Sequence, residues 1–147
     1  MSIPELCAWI QDSWLSRLIA TTTWGYPIVG AMHVLTVAIF GGTVIYTHFN
    51  ALGILFRGRS PARTARDVRQ LKLTGGILVL TTGALLFASG AVRYYGSVGF
   101  RIKMALLVLM VVNAVWASGS RRPGLHAGLS LTLWAGLIFA ARAIAYF

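Results

Sequence analysis

Residues 26–46 read YPIVGAMHVLTVAIFGGTVIY, a run without Asp, Glu, Lys or Arg and with one histidine, His33, near its middle. A helix needs about 20 mainly apolar residues to cross the hydrocarbon core of a bilayer. This run has that length, and three more follow at about 73–92, 102–117 and 125–147. The third is short, which tilt or local thinning accommodates. The chain is therefore expected to be all-α, an integral membrane four-transmembrane-helix bundle forming one domain over 1–147.

Composition agrees. At 57% hydrophobic and 11% charged residues, the 147-residue chain lies outside the range of soluble domains. Thirteen Lys and Arg against three Asp and Glu would suggest nucleic acid in a soluble protein. In a multi-pass protein the same excess marks loops held beside lipid headgroups, so no nucleic-acid partner is expected. The single cysteine, Cys7, excludes an intrachain disulfide and a cysteine-only metal site. Glu5 and Asp12 stand where a cleaved signal peptide would need a basic region, and the run beginning at Tyr26 is too long for its apolar part.

Before the first span, residues 2–19 read as an interfacial amphipathic helix. Ser2 and Glu5 have capping-box spacing, and Leu6, Trp9, Ile10, Trp14 and Leu18 recur on one face. Thr21-Thr22-Thr23 ends it, and Trp24-Gly25-Tyr26-Pro27 opens span 1. Between spans 1 and 2, the segment 57–72 holds Arg57, Arg59, Arg63, Arg66, Arg69 and Lys72 against one Asp67. Ser60-Pro61 looks like a cap and first turn, so 62–71 is expected to be a short basic helix. The positive-inside rule makes this loop cytoplasmic and suited to anionic lipids, with both termini periplasmic in a bacterial inner membrane.

Glycine is unevenly spread. Gly76, Gly83 and Gly90 form a strict seven-residue repeat in span 2, which keeps one face smooth for close helix packing. Ionisable residues inside spans are costly and normally face the bundle interior. His33 lies seven residues past Tyr26, about 10 Å in at 1.5 Å per residue. Lys103 begins span 3 and Arg142 nears the end of span 4, so all three basic groups are expected to converge in the outer half. No acid is placed to neutralise them, which suggests carboxylates or phosphate of a ligand. The plainer reading has Lys103 and Arg142 reaching to headgroups and His33 hydrogen-bonded to a neighbouring carbonyl. A second pair, His48 and His126, sits near the cytoplasmic face, where two imidazoles could ligate haem iron or another metal. Asn113 is expected to make an interhelical hydrogen bond. Met32, Met104 and Met110 are read as packing rather than copper ligands. There is no Gly-rich phosphate loop, acidic pair or plausible serine triad, so hydrolase, kinase and nucleotide-driven transport readings are poor.

Trp24-Gly-Tyr26-Pro27 with His33-Val-Leu and Gly41-Gly42, then Arg93-Tyr94-Tyr95, Phe100-Arg-Ile-Lys103-Met104 with Asn113, and Leu133-Trp134 with Arg142-Ala-Ile-Ala-Tyr146, resembles a bacterial family of small four-helix membrane proteins of unknown function. The chain departs from that family at His48 and Asn50, where an acidic–basic pair is expected, and at Ala117, near which a histidine is expected. His33 and Lys103 also look similar to a first-span histidine and third-span lysine of the four-helix membrane protoporphyrinogen oxidase. The copper-resistance membrane domain is similar in span number. These likenesses imply haem b or a porphyrin, with His33 as axial ligand and Lys103 and Arg142 facing propionates. They imply a subunit of a redox assembly and, if an enzyme, an oxidoreductase. The rival expectations are a cofactor-free accessory subunit docking partner subunits or a second copy, and a copper or small-molecule permease.

Overall fold

The computed structural model describes residues 2–55, 58–117, 119–120 and 122–143. Every regular element among them is a helix: α1 (Ile3–Gln11), α2 (Trp14–Thr21), α3 (Gly25–Ala51), α4 (Pro61–Asp67), α5 (Arg69–Ala88), α6 (Ala91–Gly96), α7 (Val98–Ala117) and α8 (Pro123–Ala143). Four of these, α3, α5, α7 and α8, are long and apolar enough to cross a membrane. Arg57, Arg121 and the last residues expected of span 4, Tyr146 included, lie outside the described residues.

The N-terminal capping box is present: Ser2 Oγ accepts from the Glu5 amide, and the Glu5 carboxylate accepts from the Ser2 amide. The single helix expected over 2–19 is instead two. Ser13 turns extended and caps α2, while Ser16 Oγ donates back to the Ile10 carbonyl, one of those left over at the end of α1. Ser60 caps α4 as its Ser-Pro sequence suggests, but that helix ends at Asp67, and Arg69 already belongs to the first turn of α5. Span 2 stops at Ala88, before the expected Val92; a break at Ser89-Gly90 leads into α6.

The chain divides into two compact units, Met1–Phe40 with Leu73–Ser97, and Gly41–Lys72 with Val98–Phe147. In the first, α1 packs on α6, and Gln11 Oε1 accepts from the Val92 amide at 3.1 Å. The first part of α3 runs antiparallel to α5, because Phe40 meets Gly75 and Gly76 while His33 meets Gly83. The heptad glycines have one use. A Cβ would stand 3.4 Å from the Phe40 ring at Gly76, 3.2 Å from the His33 ring at Gly83 and 3.3 Å from the Tyr94 ring at Gly90. Each glycine seats a ring.

In the second unit, α7 and α8 form an antiparallel pair, with Asn113 on His126 and Gly136 against Leu106. The buried Trp134 indole lies on Gly41 so closely that a Cβ there would come within 2.9 Å of Cε2. Gly124 lies near Leu52, so this part of α3 runs antiparallel to α8.

What is buried inverts the soluble rule. Thr36 and Thr43 are 7% and 4% exposed, and Asn50, Thr82, Asn113 and Ser130 are equally enclosed. On the same helix as the first three, Val34 and Leu35 are 68% and 62% exposed. Polar side chains inside and large apolar ones outside suit a helix whose solvent is lipid, where internal polar groups pair with one another.

Candidate functional site

Two polar clusters stand out, one in each unit. In the first, the His33 imidazole rests on Gly83, and its Nδ1 is 2.8 Å from Thr82 Oγ1. Thr82 also donates its hydroxyl hydrogen to the Leu78 carbonyl at 2.7 Å. A hydroxyl has one hydrogen, so Thr82 must accept from His33, and Nδ1 carries the proton. The ring is thereby fixed as the Nδ1–H tautomer, with the lone pair on Nε2. Thr36, one turn on, donates to the His33 carbonyl at 2.9 Å and lies 3.5 Å from Thr82 Oγ1. A side-chain hydroxyl of the facing helix is thus the partner of Nδ1.

Two turns before His33, the Tyr26 and Tyr94 hydroxyls are hydrogen-bonded at 2.7 Å. The Arg93 guanidinium lies 5.1 Å from the centre of the Tyr94 ring, and Phe87 stacks beside that ring. Burial pushes the Tyr94 phenol above its ordinary range, and the hydrogen bond with Tyr26 adds to this; Arg93 acts in the opposite sense.

In the second unit, Asn113 grips His126 twice. Its Nδ2 donates to the His126 carbonyl at 3.0 Å, and its Oδ1 lies 2.8 Å from His126 Nδ1. Only an N–H can face that carbonyl, so Oδ1 faces the ring and Nδ1 is again protonated. His48 Nδ1 donates to the Val44 carbonyl in its own helix. The antiparallel register of α3 on α8 puts His48 and His126 at one level of this unit. All three histidines therefore share one tautomer, with Nε2 as the lone-pair atom. Tying Nδ1–H to a protein oxygen is what orients metal-ligating histidines.

Lys103, half-buried early in α7, and Arg142, in the last turn of α8, come to the same end of the antiparallel pair. His33 belongs to the other unit. Among the described residues, no group of three or more His, Cys, Asp or Glu is placed to hold a metal ion. Met32 and Met104 are exposed on apolar faces, in keeping with packing or lipid contact.

Sequence reasoning found His33 and the interhelical role of Asn113, but not Thr82 or the identity of His126 as Asn113's partner. Thr82 had one signal: it adjoins Gly83 in the heptad repeat. No family model, curated protein or solved structure matches the chain.

Thr82→Val keeps the shape but removes the hydroxyl that accepts from His33 Nδ1. An unsatisfied buried N–H should cost about 1–3 kcal/mol of stability. Nitrogen-15 NMR of the ring should show pure Nδ1–H in the unsubstituted protein and a tautomer mixture in the variant. An unchanged ring spectrum would remove Thr82 from the site.

Proposed function

We propose that the chain is a multi-pass protein of the bacterial inner membrane that holds haem b or a related porphyrin through His33, as a subunit of a membrane redox assembly. One observation carries the reading. An imidazole inside a candidate span has its Nδ1–H tied to Thr82, whose own hydrogen is committed to Leu78, so Nε2 is the basic nitrogen. Gly83 supplies the room: a methyl group there would crowd Cε1 at 3.2 Å. Haem b, when bound, supplies one-electron chemistry; Thr82 and Gly83 orient the ring, and the apolar span excludes water.

The accessory-subunit reading has glycine faces and the basic loop docking a partner. Gly76, Gly83 and Gly90 are filled by the protein's own rings, whereas a Cβ at Gly30, Gly42 or Gly128 would meet nothing within 4 Å.

The absorption spectrum of the purified protein, oxidised and dithionite-reduced, tests this. A Soret band that shifts on reduction is expected, lost in His33→Ala while the protein still inserts, and kept in His48→Ala/His126→Ala. A colourless protein would defeat the haem reading. Haem lost only in the double variant would move the ligands to the His48–His126 level.

Orientation belongs to the same proposal. Arg63, Arg66 and Arg69 are exposed around the end of α4 and the start of α5, suited to the anionic headgroups of a cytoplasmic leaflet. With Cys7 replaced, a cysteine at Ser60 should resist an impermeant thiol reagent in spheroplasts and react after lysis. Labelling before lysis would invert the topology.

A further inference from the structure

An open cleft of about 530 Å³ is lined among the described residues by Val115 and Trp116 at the end of α7, Gly119, Ser120, and His126 in the first turn of α8. Both helices are candidate spans, so the cleft lies where they leave the apolar layer. Its polar equipment is specific. His126 Nδ1–H is held by Asn113, itself only 5% exposed, so in the neutral ring Nε2 is the hydrogen-bond acceptor. Ser120 Oγ accepts from the Arg122 amide at 3.1 Å, which leaves the Ser120 hydroxyl hydrogen as a donor. Between them stand Val115 and the Trp116 indole, 72% exposed and open to an aromatic ring.

We propose that this cleft binds the headgroup of a membrane-soluble quinol. One quinol hydroxyl donates to His126 Nε2, another ring oxygen accepts from Ser120, and the ring lies on Trp116. A quinone, with acceptors only, cannot satisfy Nε2 of the neutral imidazole. A phospholipid phosphate would want cationic donors, and the lining residues described are Val115, Trp116, Gly119, Ser120 and His126. The inference concerns binding alone and does not depend on haem at His33.

The test uses the full-length protein in phosphatidylcholine nanodiscs, equilibrated anaerobically with decyl-ubiquinol or decyl-ubiquinone, with bound ligand measured after filtration. The expected result is one saturable quinol site per chain, about tenfold tighter than for the quinone, or about 1.4 kcal/mol. Trp116→Ala should weaken quinol binding about tenfold and leave the circular dichroism unchanged, since this exposed side chain supports no packing. Ser120→Ala should weaken it less. His126→Ala should abolish it, but that change also frees Asn113, so Trp116→Ala carries the decision. Non-saturable uptake, equal affinity for quinol and quinone, or unchanged binding in Trp116→Ala would each overturn the proposal. Displacement of quinol by phosphatidylglycerol at matched concentration would reassign the cleft to lipid and overturn it as well.

Discussion

The close approach of α5 to the first part of α3 is the constraint on which the His33 site depends. Two backbones come near enough for a hydroxyl on one to reach a ring on the other only where side chains are absent between them. Gly75 provides that absence against the Phe40 backbone, and at Gly76 and Gly83 the Phe40 and His33 rings fill the space. The distance that lets the imidazole pack on Gly83 is also what brings Nδ1 to 2.8 Å from Thr82. A larger residue at position 83 would change packing, tautomer and polar contact together. In lipid, where apolar surface alone gives helices little reason to associate, such interdigitation and a few hydrogen bonds carry the assembly.

The polar interior follows from the same solvent. Thr36, Thr47, Thr81, Thr82 and Thr132 each return a hydroxyl hydrogen to a carbonyl one turn back in their own helix. Such back-bonding hides the hydroxyl and still leaves its oxygen able to accept. Thr82 uses that second capacity to orient His33. Asn113 achieves a similar end with an amide, gripping a backbone carbonyl and a ring nitrogen at once. The histidine rings are thus oriented groups, each held through Nδ1–H to a protein oxygen.

Much of the fold was legible because its signals are local. Four apolar runs, the Ser2–Glu5 capping box and the Ser60-Pro61 helix start can each be read within a few residues. The breaks were less visible. Ser13 and Ser16 compete with helix continuation through a hydrogen bond to Ile10 that no apolar periodicity encodes, and Ser89-Gly90 ends α5 inside a run that stays apolar. At the site, His33 announced itself as a lone polar ring in a span. Its partner lies 49 residues away, and only the antiparallel register makes the two adjacent. The grip of Asn113 on His126 was foreseen as an interhelical bond, but its partner was not, for the same reason. Lys103 and Arg142 lie toward the same end of the α7–α8 pair, while His33 belongs to the other unit.

α3 turns its polar stripe, Thr36, Thr43 and Asn50, to the helices packed on it and its apolar face to lipid. Nitroxide labels placed singly along α3 in bilayers, with power saturation by oxygen and by a water-soluble nickel chelate, measure this directly. Oxygen accessibility should peak at positions 28, 35 and 39 and fall at 36, 43 and 50, with the period of about 3.6 residues of an α-helix. Nickel-chelate accessibility at 28, 35 and 39, or an oxygen profile without that period, would contradict the account.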